Sequence, residues 1–300
     1  MQSIVTNHPP VHQTVRNYIN TLHATYPFLE ELPSGRSVLG REIFCLTMGK
    51  AKDKVLYVAG THGSEWLTCM VLLRFLDRLC EAYQDGGTIA GVDVRTALLG
   101  RGLAFVPCLN PDGVEIALRG YDGALRNSSL VRKLSGGDTR CWQANARGVD
   151  LNHNFDAGWK ELRKLEQEQG IFGPACRQFG GSCPESEPET WWLAKLCRAQ
   201  RFRHALTLHS QGEVIYWRYG ERTPERARMM ANVLASSSGY TLDDPDGLAS
   251  YGGFKDWFID AFGRPAFTIE LGYGENPLPL SDFEPVYNRV EEMLLLAAMM

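Results

Sequence analysis

Two hydrophobic periodicities alternate along the chain. Val55-Leu56-Tyr57-Val58-Ala59 is an unbroken apolar run, as a strand covered on both faces requires. Arg101 to Cys108, His204 to Leu208 and Pro265 to Ile269 read the same way. Helical spacing takes over between these runs. After the first, polar Arg74, Asp77, Arg78 and Glu81 share a stripe, while Leu72, Leu73, Phe75, Leu76 and Leu79 lie elsewhere. Ser64 stands where it can cap that helix, which the spacing carries to about Tyr83, before Asp85-Gly86-Gly87. Further helices are predicted over 11–25, 159–169, 224–235 and 254–262, from Ser186-Glu187-Pro188-Glu189, and from near Asp282 to the end. Arg36 to Met48 reads as a hairpin about Gly40, and Val214 to Trp217 as a short strand. Residues 113–150, 172–184 and 236–251 read as irregular. Without repeats or a linker, the expectation is a single α/β domain over 1–300: a mixed, twisted sheet with helices on both faces.

The ends of the apolar runs carry the chemistry. His62 and Glu65 sit three residues apart just past Val55–Ala59. His209 closes a second run and Glu270 a third. Open α/β sheets place their sites at the carboxyl ends of strands. Two imidazoles and one carboxylate are a zinc set that leaves a fourth position for water, which is the catalytic rather than the structural arrangement. A further carboxylate near that water is a general base. His62, Glu65 and His209 are therefore the expected ligands of one Zn2+, and Glu270 the expected base.

The order of these pieces resembles the zinc carboxypeptidase family. It includes Asn110-Pro111-Asp112-Gly113, Gly148-Val149-Asp150-Leu151-Asn152, Gly252-Gly253-x-x-Asp256-Trp257 and Thr268-Ile269-Glu270-Leu271, and covers about residues 40 to 285. Within that family the chain resembles the bacterial γ-D-glutamyl-diamino acid peptidases, which cut peptidoglycan stem peptides. The supporting pieces are Trp142-x-Ala144-Asn145-x-Arg147 running into Gly148–Asn152, His209 to Trp217, and Asn276-Pro277-Leu278-Pro279. The resemblance implies a zinc carboxypeptidase-like fold, metal-activated water and a Glu270 base. It also implies departures. The Arg that follows the Asn of the motif and grips a C-terminal carboxylate is replaced by His153, after Asn152. His offers neither the fixed charge nor the fork of Arg. The oxyanion-stabilising Arg aligns with Gln143, leaving Arg140 and Arg147 as nearby substitutes. The mobile Tyr aligns with Leu248, with Tyr251 three residues on. Lys255 takes the specificity-pocket position, where a cation suits the carboxylates of γ-D-glutamate or meso-diaminopimelate.

Composition narrows the setting. Among 300 residues, 44% are hydrophobic and 22% charged, enough to bury a core. A net charge of -4 gives no electrostatic case for nucleic acid or an anionic membrane. No apolar run reaches the ~20 residues of a membrane span. Met1 to Asn20 lacks the apolar centre of an export signal, and the cysteines fall mostly in apolar patterns, with Cys176 and Cys183 the one pair in a shared Gly-rich loop. The expectation is a cytoplasmic protein with a peptidoglycan-derived peptide as partner; the sequence leaves the oligomeric state open. Two rival readings stand beside it. One is a carboxypeptidase on ordinary α-peptides or a deacylase on N-acyl amino acids, against which His153 argues. The other is an inactive zinc-containing stem-peptide binder, against which Glu270 argues.

Overall fold

A computed structural model describes Val5 and residues 7–300. Its centre is an eight-stranded sheet made from β1 (Glu30–Arg36), β2 (Glu42–Met48), β3 (Asp53–Val58), β4 (Gly102–Val106), β5 (Arg201–His209), β6 (Val214–Tyr216), β7 (Thr241–Asp243) and β8 (Ala266–Glu270). The strands lie in the order β1-β2-β4-β3-β5-β8-β6-β7. β4, β3, β5 and β8 are parallel neighbours, whereas β1, β2 and β4 pair antiparallel. β6 runs antiparallel to β8, and β7 parallel to β6. The sheet is thus mixed, with a parallel centre.

The unbroken apolar runs are explained by burial on both faces. Val55 and Tyr57 enter one core with residues of α1 (His12–Thr25), α2 (Leu67–Asp85), α7 (Glu225–Ser238) and α9 (Phe283–Met299). Leu56 and Val58 enter a second core with α6 (Pro188–Ala199) and α8 (Phe254–Phe262). Alternate side chains of a strand point to opposite faces, so a strand between two helical layers must be apolar throughout. The Tyr57 hydroxyl satisfies itself by donating to the Leu294 carbonyl at 2.8 Å.

Several local expectations are corrected. The first hairpin strand ends at Arg36 instead of starting there, and the turn at Ser37–Arg41 is the part centred near Gly40, whose φ is +84°. Residues 113–150 are less irregular than their Gly and Ser content suggests. They contain most of α3 (Pro111–Arg119), then α4 (Ser128–Ser135), on a small core of Leu39, Ile116, Val131 and Trp142. The 236–251 loop contributes β7 as an edge strand. Ser64 caps nothing, because a 3-10 turn at Gly63–Glu65 intervenes before α2. Thr68 does the stapling instead, donating to the Glu65 carbonyl at 2.7 Å and accepting from Gly60 N at 3.1 Å. Ser186 is likewise not the cap of α6; its hydroxyl bonds the Glu187 carboxylate at 3.0 Å.

Candidate metal centre and active site

Parallel pairing brings the strand ends together. Glu270 lies directly opposite His209 in the β8–β5 register, and β3 neighbours β5 on its other side. The chain leaves β3 for β4 on one side and returns to β5 on the other, the reversal at which open α/β sheets form a crevice. His62, Glu65 and His209 meet there. Their ligand-type atoms all lie within 4.8 Å of one another. His62 Nδ1 is 2.7 Å from one Glu65 oxygen, and His209 Nδ1 is 3.0 Å from the other. Glu65 and His209 are buried, and Glu270 is half-buried beside them.

Asp150 supports this group, a role that sequence reasoning missed. Its Oδ1 lies 3.0 Å from His62 Nε2, while Oδ2 accepts the Gln178 N–H at 2.9 Å. A carboxylate on Nε2 fixes the tautomer that turns the Nδ1 lone pair toward the centre. The signal was present in Gly148-Val149-Asp150-Leu151-Asn152, but nothing in one sequence says which ring it faces.

The donor chemistry fits zinc. Burial alone would depress the His62 pKa, yet the Glu65 and Asp150 carboxylates outweigh it and hold the imidazolium well above its ordinary range. Burial would raise Glu65, but the His62 and His209 rings bring it down to about 2. These are anion-stabilising surroundings in which a divalent cation replaces protons, as two imidazoles and a carboxylate require. Glu270 is pushed well above the ordinary carboxyl range, by burial first and the Glu65 charge next, with His62 opposing. A bound dication would pull it back toward the range of a working base.

The ligand loop is clamped from behind. The Asn110 amide donates to the carbonyls of Thr61 at 3.0 Å and of Gln143 and Ala144 at 3.2 Å each. Its Oδ1 caps α3 by accepting from Gly113 N at 2.8 Å. Gly63 donates to the Gln143 carbonyl at 3.0 Å, and a Cβ on Gly63 would meet the Gly113 carbonyl oxygen at 2.3 Å. Only glycine allows that approach. Asp112 is buried and takes bonds from Ser37, Leu39 and Arg41, locking the hairpin turn to α3.

The residues expected to touch substrate divide. Asn152 accepts from Phe254 N at 3.1 Å, which joins its turn to the start of α8. Tyr251 lies against Gly158, where a Cβ would come within 2.5 Å of the ring. Gln143 contributes main-chain bonds to the ligand loop and to the Cys176 carbonyl. His153 is buried, with Nδ1 3.0 Å from the Gln178 carbonyl. Arg147 is exposed, 3.4 Å from Glu187, and Arg140 pairs with Asp138 at 2.7 Å.

Lys255 requires a correction. A free ammonium aimed into the cleft is the expectation, but the side chain is buried. Its Nζ donates to the Asp256 carboxylate and, at 2.8 Å, to the Arg218 carbonyl. Burial pushes the Asp256 carboxyl up to about 6 even with Lys255 and His153 pulling it down. The cation is therefore compensated internally. Lys255→Ala is expected to cost about 3–5 kcal/mol of stability, since it strands a buried carboxylate. Urea denaturation measures this, and adding Asp256→Asn should recover part of the loss. A single variant as stable as the parent would show that the pair carries no weight.

The fold and the His-Glu-His group define a zinc hydrolase, and sequence similarity gives the family. The zinc carboxypeptidase family model matches residues 15–293, and the chain belongs to that family. It is a zinc metallopeptidase. A γ-D-glutamyl-L-diamino acid endopeptidase 1 of Lysinibacillus sphaericus is 36% identical over 273 residues, which cover 90% of this chain and 67% of that protein. In structure, thrombin-activatable fibrinolysis inhibitor superposes with a TM-score of 0.74 at 19% identity, over 98% of this chain and 74% of the other. The murein-tripeptide amidase MpaA of Escherichia coli matches with a TM-score of 0.52 at 22% identity, over 91% and 90%. These structural likenesses establish the fold. Among the described residues, no helix is long and apolar enough to cross a membrane.

Proposed function

We propose that this chain hydrolyses the amide between γ-D-glutamate and a diamino acid, meso-diaminopimelate in the first instance, in peptidoglycan-derived peptides. The observation that carries the reading is the His62–Glu65–His209 group with Glu270 in register beside it, on a chain 36% identical to a γ-D-glutamyl-L-diamino acid endopeptidase. One zinc ion per chain, held by His62, Glu65 and His209, would supply Lewis-acid activation of water and of the scissile carbonyl. Asp150 keeps His62 in the ligating tautomer. Glu270 takes the proton of the attacking water and returns it to the leaving amine, serving as general base and then as general acid. A donor from the Gln143–Arg147 segment steadies the oxyanion, and Asn152 and Tyr251 bound the substrate, while Lys255 is held internally by Asp256. His153 is tied to a carbonyl rather than open to a carboxylate, which favours this reading over C-terminal trimming of α-peptides. The eight free cysteines fit the reducing, cytoplasmic setting expected.

The test is product analysis by mass spectrometry on L-Ala-γ-D-Glu-meso-diaminopimelate and its α-linked isomer. Release of diaminopimelate from the γ-linked peptide, with the isomer left intact, is the expected result. Cleavage of the α-linked isomer alone would replace this reading with the ordinary carboxypeptidase.

A further inference from the structure

We infer that Arg177 is the specificity residue that binds a substrate carboxylate flanking the scissile amide, in place of the arginine missing after Asn152. This rests on the γ-glutamyl reading above and deepens it.

Arg177 sits on a loop that is bonded into the site. The segment 175–179 lies alongside 143–150 as an irregular ladder. The Cys176 carbonyl accepts from both Gln143 N and Ala144 N at 3.0 Å, Ala175 N donates to the Gly148 carbonyl at 2.9 Å, and Asp150 N donates to the Phe179 carbonyl at 2.8 Å. Gln178, in a left-handed conformation at φ +69°, donates its N–H to the carboxylate that orients His62. Its carbonyl meets His153, the residue standing where the family keeps its carboxylate-gripping arginine. Arg177 is thus anchored on each side by main-chain bonds into the site. Arg177 directly precedes Gln178, whose N–H reaches the Asp150 carboxylate that holds Nε2 of the His62 ring.

Among the described residues, its unpaired charge distinguishes it from the other candidate cations. Lys255 is buried against Asp256, Arg140 is paired with Asp138, and Arg147 lies toward Glu187. Arg177 is exposed and has no carboxylate partner among the described residues. A guanidinium is permanently charged, and its fork matches a carboxylate in two parallel bonds. A γ-linked substrate presents such groups close to the cut: the free α-carboxylate of the D-glutamyl residue on the acyl side, and those of the diamino acid on the amine side. Both share one chemistry, so the experiment separates them.

The parent protein, Arg177→Gln and Arg177→Lys are assayed with zinc on three peptides. These are L-Ala-γ-D-Glu-meso-diaminopimelate, its α-carboxamide at the glutamyl residue, and its carboxamide at the diaminopimelate carboxyl next to the cut. The parent should favour the free peptide over one amidated form. Arg177→Gln should lower kcat/KM on the free peptide by about ten- to a hundred-fold, chiefly through KM, and erase that preference. Arg177→Lys should restore part of it. The amidated form on which parent and Arg177→Gln converge identifies the carboxylate. Equal losses on all three peptides, or a preference unchanged in Arg177→Gln, overturn the assignment. If the parent leaves every γ-linked peptide intact and cuts the α-linked isomer, the substrate reading fails. Free and C-terminally amidated α-linked peptides then put the same question to Arg177.

Discussion

Glu270→Gln is expected to keep its fold and its metal while losing about 10²–10⁴-fold in turnover, the usual weight of a general base. The amide is nearly isosteric with the carboxyl, so packing at the end of β8 is preserved. It cannot accept the proton of the attacking water, so the water stays a poor nucleophile. Folding should not suffer. Burial and the nearby Glu65 already disfavour the charged form of Glu270, and a neutral amide relieves that opposition. Kinetics on the γ-linked peptide, thermal denaturation and zinc content should therefore separate: activity falls and the other two hold. Turnover close to that of the parent, with zinc retained, would remove Glu270 from the mechanism.

His62→Ala combined with His209→Ala should lower zinc content from about one per chain to near zero, because one carboxylate is a weak site for zinc in neutral water. Hydrolysis should vanish with the metal. Glu65 would then lose both imidazole neighbours, 2.7 and 3.0 Å away, which now hold its carboxyl below the ordinary range, and burial should push it up. The same change removes the Asp150 partner at His62 Nε2, so some stability should be lost as well. Elemental analysis after dialysis is the deciding measurement. Full zinc occupancy in the double variant would falsify the ligand assignment, whatever happened to the rate.

The sequence by itself determined the parallel centre of the sheet and the group at its edge. A strand covered on both faces has no polar positions to spare, so a polar residue closing such a run stands out. Val55–Ala59 before His62, His204–Leu208 before His209 and Pro265–Ile269 before Glu270 are legible for that reason. Turn chemistry also wrote itself into the chain at Gly86, the left-handed end of α2. Tertiary structure alone decided where charges go. Lys255 reads identically in sequence whether its ammonium is free or buried. Only the packing of α8 against Arg218 and Asp256 shows that it is compensated. Asp150 is one acid in a motif until folding brings it from 88 positions away to His62. The helices within 113–150 were hidden by the Gly, Ser and Arg residues that surround them, and a small core of Ile116, Val131 and Trp142 holds them in place. Local pattern records which face a residue must bury. A charge is settled by its partner, and partners distant in sequence are chosen by the fold.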